Sequence, residues 1–367
     1  MKHTSRAKRV RGIVAGVATV ALLASACGGD DADDTDDVEV DEPADDAEED
    51  DAELEEDEPD DDADEDEDAE AAAGDGDFDI VLIPGVTGDE FYVSMECGAL
   101  EAAEELGATL DVQGAPEFSP TEQIPILESV IASGPDAILI APTDVDALQA
   151  PLQEAVDAGI EVVLVDTTLS DPSLAVSQIG SDNHEGGRMA AEAVGELMGG
   201  EGAAMVVNVT PGISTTDARG EGFEEGLEEL YPDITFLGQE YSDNEPAQAA
   251  EIVSATLAAE PELSGIFGAN LFSAEGAATG IRQEGRDDVS IVGFDAGPAQ
   301  IEQLREGLVQ ALIVQQPLDI GRQGVEQAVA ALTGEETTPE IGTGFVTATI
   351  DNLDDDDVAE FLYRAEC

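Results

Sequence analysis

From Phe78 onward, short apolar runs recur at regular intervals, each too brief for a helix and each followed by a stretch with apolar residues every three or four positions. Phe78-Asp79-Ile80-Val81-Leu82-Ile83 stops at Pro84-Gly85 and reads as a buried strand. Tyr92, Met95, Ala99, Ala103 and Leu106 then mark one face of a helix that Gly107 closes. Further strands read at 109–112, 136–141, 161–165, 204–209, 234–237, 265–269, 289–294 and 309–314. Helical segments read at 121–133, 147–158, 184–198, 217–230, 246–259, 272–283, 300–305 and 316–332. Strands that alternate with helices pair in parallel and need both faces of the sheet covered. The number of units, with a change of rhythm near 177–182, predicts an α/β chain of two doubly wound lobes.

The first 77 residues follow other rules. Lys2, Arg6, Lys8, Arg9 and Arg11 precede an apolar run from Ile13 to Ala26, the anatomy of a secretory signal peptide over 1–26. That run of 14 residues falls short of the roughly 20 a helix needs to span a bilayer. Ala24, Ser25 and Ala26, then Cys27 and Gly28-Gly29-Asp30, resemble a bacterial lipoprotein lipobox, with Ala24 where the pattern prefers Leu. Cys27 is therefore the expected lipidation site; ordinary cleavage near Ala26 with release of a soluble protein is the other reading. From Asp30 to Asp77 there are 31 Asp or Glu residues and no Lys or Arg, too little apolar surface to offset ordering entropy, so 27–77 is expected to be a disordered acidic linker. With Cys27 lipidated, Cys97 and Cys367 remain. In an oxidising compartment they either form a disulfide or stay two unrelated buried thiols.

Charge removes several function classes. Residues 78–367 carry 56 acidic side chains against seven arginines, a formal charge of −49, and no lysine follows Lys8. Nucleic-acid binding rests on Lys and Arg contacts to phosphate, so it is not expected, and neither is docking on anionic lipid. Self-repulsion on this scale needs screening by salt, which points to a saline habitat. Without lysine there is no GxxxxGK[ST] phosphate loop and no Schiff-base chemistry. His184 is the one histidine past the leader and opens a helix, so neither a Ser-His-Asp triad nor a multi-histidine metal site has its material. No metal or cofactor is expected. Gly220-Glu221-Gly222-Phe223-Glu224-Glu225-Gly226 follows a helical arginine rather than a strand, and its acid would repel a pyrophosphate, so it is not a dinucleotide fingerprint.

In open α/β sheets the ligand sits beyond the carboxyl ends of the strands. That rule selects Asp89, Phe91 and Tyr92 after the first strand, Asp166 and Thr167 after 161–165, and Arg219 beyond 204–209. It also selects Asn270 after 265–269, Asp295 after 289–294, and Gln315 after 309–314.

Five stretches occur in a telling order: Phe91-Tyr92-Val93-Ser94, Ala141-Pro142-Thr143-Asp144, Gly180-Ser181-Asp182-Asn183 with Gly186-Gly187, Arg219-Gly220-Glu221-Gly222-Phe223, and Val292-Gly293-Phe294-Asp295. Together, over Phe78 to about Thr349, they resemble the ribose-type periplasmic sugar-binding proteins, the substrate-binding subunits of ABC importers. The resemblance implies two Rossmann-like lobes joined by a three-crossing hinge, 78–180 plus 316–340 and 181–315 plus 341–367, with one crossing at Gln315-Gln316-Pro317. It implies sugar-facing aromatics at Phe91 and Tyr92, with Phe294 beside its strand-end aspartate, and hydrogen-bonding groups at Asp89, Asp166, Arg219, Asn270, Asp295 and Gln315. Asp89 stands where ribose binders place Asn, Thr167 where they place a second Arg, and Asn244 near where they use an aromatic. One arginine among three carboxylates disfavours an anionic ligand and fits a neutral monosaccharide or polyol. The implied protein is a monomer, lipid-anchored at the outer face of the cytoplasmic membrane, that captures sugar by lobe closure and passes it to a permease with a separate ATPase. A sensor presenting its ligand to a signalling partner is the alternative. A doubly wound hydrolase using Asp89, Asp166 and Asp295 is a third reading. A Cys97–Cys367 pair would pin the C-terminal tail to the first lobe.

Overall fold

Asp79–Ile83 (β1) is followed by Thr109–Val112 (β2), Ala137–Ile140 (β3), Glu161–Val165 (β4) and Ser177–Ser181 (β5) in a computed structural model that describes residues 78–367. The expectations for the signal peptide, Cys27 and the acidic linker lie outside the described residues. These strands and Glu340–Thr343 (β11) form one all-parallel sheet in the order β11-β5-β4-β3-β1-β2. The second sheet repeats the plan with Gly202–Asn208 (β6), Ile234–Tyr241 (β7), Leu263–Gly268 (β8), Ser290–Phe294 (β9), Ala311–Val314 (β10) and Val346–Thr349 (β12), in the order β12-β10-β9-β8-β6-β7. Only β12 runs antiparallel to its neighbour there. Strands β3 and β10 are buried at every position, as continuous apolar runs between two helical layers should be.

The helices fall where the periodicity predicts: Glu90–Leu106 (α1), Pro120–Ser133 (α2), Gln149–Asp157 (α3), Asn183–Met198 (α4), Ser214–Leu230 (α5), Pro246–Ala259 (α6), Leu271–Glu284 (α7), Pro298–Glu306 (α8) and Pro317–Thr333 (α9), with a short Asp356–Ala359 (α10) added near the end. Asp89, Asp182 and Asn270 cap α1, α4 and α7 by accepting from backbone N–H groups of the first turn. Gly107 closes α1 in the left-handed conformation, φ 74°.

The chain passes between the sheets at Asp182, at Gln315–Gln316 and at Gly344–Phe345. The third crossing lies beyond the boundary expected at 340, because β11 pairs with β5 in the first sheet rather than joining the second. Side chains tie the crossings together: the Ser181 hydroxyl donates to Gln315 Oε1 at 3.0 Å and lies 3.0 Å from Thr343 Oγ1.

Two helix pairs meet backbone to backbone. A Cβ added at Gly187 on α4 would collide with the carbonyl oxygen of Arg219 on α5, and one at Gly222 with that of His184. On the first lobe, Gly98 and Gly321 bring α1 and α9 together in the same way. The Gly186-Gly187 motif therefore has a packing cause: Gly187 seats the helix that carries Arg219, and Gly186 leaves room for the Phe294 and Phe345 rings. Gly187→Ala is expected to cost about 1–3 kcal/mol, the usual range for overpacking, and to weaken ligand binding through the displaced Arg219 backbone. Thermal melts with ligand titration check both effects.

Candidate functional site

The ends of β1, β2 and β4 in one lobe face those of β6, β7, β8, β9 and β10 in the other, across a shared cavity. Eight of the ten residues expected at the ligand line it: Asp89, Phe91, Tyr92, Asp166, Arg219, Asn270, Asp295 and Gln315.

Asp166 and Asp295 occupy equivalent places in the two lobes, each directly after the fourth strand of its half, β4 or β9. Both adopt left-handed backbone angles, φ 64° and φ 78°, a conformation non-glycine residues hold only when their surroundings enforce it. The enforcement is visible: Asp166 N donates to Ile179 O at 2.8 Å and Asp295 N to Ile313 O at 2.9 Å, each on the neighbouring strand. Asp166 Oδ2 accepts from the Tyr92 hydroxyl at 2.8 Å. Asp295 Oδ1 accepts from Gln315 Nε2 at 2.7 Å and from the Tyr363 hydroxyl at 2.8 Å, while Oδ2 accepts from Leu271 N at 2.9 Å.

Arg219, 2% exposed, donates from Nε to Asn183 Oδ1 and from Nη1 to Ala269 O, both at 2.8 Å. Its guanidinium carbon stands 3.7 Å from the centroid of the Phe294 ring. Phe294 is thus beneath the arginine, fully buried and edge-on to Phe345, and does not line the cavity. A sugar-facing role for Phe294 is corrected accordingly: consecutive strand residues point to opposite faces, and Asp295, past the strand end, takes the cavity position. Thr167 also lies outside. Thr167 N donates to Val165 O at 2.8 Å in a tight turn about Asp166, and Thr167 lines the neighbouring cleft with Gln178 and Ser181.

Sequence reading missed Phe118, Val209, Ile213, Thr215 and Thr216, which complete the wall with Asn244. Phe118 was within reach of the strand-end rule, since the loop after β2 carries it. The two threonines were hidden because α5 starts at Ser214, a turn earlier than its apolar pattern, with Asn208 Nδ2 donating to Thr216 O at 3.0 Å. The Thr216 hydroxyl is buried in the cavity wall without a hydrogen-bond partner, where such groups are ordinarily paired.

Burial and the nearby charge of Asp295 push the Asp89 carboxyl up to about 8. Burial also raises Asp166, to about 6, against the opposing pull of Arg219 and the Tyr92 hydrogen bond. Near neutral pH Asp89 is therefore mostly an acid with an O–H to donate, while Asp166 mostly accepts. Beside the Arg219 fork and the amides of Asn270 and Gln315, this supplies donors and acceptors suited to hydroxyl groups. The raised carboxyl also fixes a sign. The folded state holds the Asp89 proton more tightly than the unfolded chain, so this group's stabilisation is full below pH ~4 and is lost as pH rises through about 8. Asp89→Asn keeps an oxygen for the helix cap and removes the titration. Its melting temperature without ligand is expected to fall less between pH 5 and pH 9 than that of wild type; parallel declines would contradict the assignment.

Two α/β lobes, three tied crossings and one polar cavity at the facing strand ends define a receptor that encloses a small solute. The periplasmic binding protein domain model matches residues 80–336. The ribose import binding protein of Escherichia coli K12 is 30% identical over 258 residues, 70% of this chain and 86% of that protein. An ABC transporter solute-binding protein from Agrobacterium vitis, solved with α-D-tagatopyranose, superposes with a TM-score of 0.77 at 43% identity, covering 78% of this chain and 99% of the other. A carbohydrate transporter solute-binding protein from Agrobacterium radiobacter, in complex with D-arabinose, superposes at 0.75 with 28% identity, covering 79% and 100%. The chain belongs to the periplasmic binding protein family.

Proposed function

We propose that this protein is the sugar-binding component of an ABC importer, enclosing one neutral monosaccharide between its lobes and releasing it to a separate permease driven by its own ATPase. The observation that carries the reading is the convergence of Asp89, Asp166, Asp295, Asn270 and Gln315 on one cavity beside Arg219, a set that brackets hydroxyls from both lobes. Phe91 and Tyr92, edge-on to each other with centroids 5.0 Å apart, supply apolar surface for the C–H faces of a ring. The Agrobacterium vitis protein, bound to a ketohexose in its pyranose form, points to monosaccharides of that size. In this reading the protein is a monomer without catalytic activity, and Cys27 anchors it by lipid to the outer face of the cytoplasmic membrane.

A thermal-shift screen tests the substrate class, since a ligand that binds only the folded state raises its melting temperature. D-tagatose, D-arabinose, D-allose, D-ribose and simple polyols are set against amino acids and nucleosides. Stabilisation by at least one neutral sugar and by no amino acid is expected; the reverse pattern contradicts the substrate class.

A further inference from the structure

The chain continues past the second lobe. After β12 it turns through α10 and comes back to the cleft, where Tyr363 N donates to Ala296 O at 3.1 Å and the Tyr363 hydroxyl donates to Asp295 Oδ1 at 2.8 Å. The next residue already holds the other lobe. Arg364 N donates to Ser94 Oγ at 2.7 Å, its guanidinium pairs with Glu101 at 2.8 Å, and Cys367 is disulfide-bonded to Cys97, all on α1. The tail thus passes between lobes at Tyr363–Arg364, a fourth crossing beside the three of the hinge.

Tyr363 is 6% exposed and does not line the cavity; it stands behind two residues that do. Its ring lies edge-on to Phe91, centroids 5.9 Å apart, and its hydroxyl is one of three donors on the Asp295 carboxylate, with Gln315 Nε2 and Leu271 N. Three donors from three chain segments leave that carboxylate little freedom to rotate; two of them fill Oδ1, while Oδ2, which accepts from Leu271 N alone, keeps a lone pair for a ligand.

Resting on the sugar-binding reading above, we infer that the C-terminal tail is part of the binding site: Tyr363 is a positioning residue that holds the Asp295 carboxylate toward the sugar, and the Cys97–Cys367 bridge keeps Tyr363 in place by tying the tail to α1. The tail then sets how tightly, and for which hydroxyl pattern, the cleft closes.

Tyr363→Phe removes one oxygen and keeps the ring against Phe91. Calorimetry with the sugar identified by the screen should show about tenfold weaker binding, because the carboxylate is less firmly aimed, and the melting temperature should fall by a few degrees, because the lost hydrogen bond to a buried carboxylate is already made without ligand. A structural role would weaken all ligands alike. Among monodeoxy analogues that wild type still binds, the loss should instead be smallest for the one lacking the hydroxyl that meets Asp295. The double variant Cys97→Ser with Cys367→Ser should also bind more weakly, and adding Tyr363→Phe to it should weaken binding by less than tenfold; if it does not fold, the Tyr363 arm decides. Wild-type affinity in Tyr363→Phe, or an equal loss for every ligand, overturns the inference alone. A wild type that binds no neutral sugar overturns the reading beneath it as well.

Discussion

Arg219→Ala is expected to lower sugar affinity at least about a hundredfold, roughly 2.7 kcal/mol. The six other arginines among the described residues, Arg188, Arg282, Arg286, Arg305, Arg322 and Arg364, pair with carboxylates. Arg219 is committed to neutral acceptors, Asn183 Oδ1 and Ala269 O, and neither Asp217 nor Glu221 is its partner. Asp217 instead accepts from Gly212 N at 2.8 Å in the loop before α5. A guanidinium held over the Phe294 ring keeps part of its fork for a ligand's oxygens, and losing such a buried charged donor costs more than an ordinary hydrogen bond. Truncation also strands Asn183 and Ala269, so a lower melting temperature should accompany the lost affinity. Arg219→Lys keeps the charge without the fork and should fall between. Titration calorimetry reads both variants, and wild-type affinity in Arg219→Ala would contradict the assignment.

Opening the Cys97–Cys367 bridge should produce the largest change in stability. The two residues are 270 positions apart, so the bridge restricts almost the whole unfolded domain. The chain-entropy account gives about 5.6 kcal/mol for a loop of that length, and measured values run about 2–4. At about 2–4 °C per kcal/mol for a chain of 150–250 residues, reduction should lower the melting temperature by roughly 5–15 °C. Coincident melts with and without reductant, after the thiols have been shown to be free, would contradict it.

How much of this was legible depended on where the information resides. Strands such as Ala137–Ile140 and Glu161–Val165 are covered on both faces, and that environment writes itself as an unbroken apolar run. Ser177–Ser181, Glu340–Thr343 and Val346–Thr349 carry few apolar residues and owe their state to the strands they pair with, so local pattern left β5 as a change of rhythm and β11 and β12 unseen. The site was legible where it depends on topology alone, as at Asp166 and Asp295, each directly after a strand, and at Asn270, two residues past one. It was illegible where it depends on side-chain direction or on a loop, as at Phe294, Phe118 and Thr216. Tyr363 escaped because its contact with Asp295 is made by a tail 68 residues further along the chain.

The most direct test of sugar capture is a calorimetric titration of the purified protein with neutral monosaccharides, D-tagatose and D-arabinose first. A saturable one-to-one heat with at least one neutral monosaccharide, leaving the sugar chemically unchanged, is the predicted result. Absence of binding to every neutral sugar, with an amino acid or nucleoside filling the cleft instead, would contradict it.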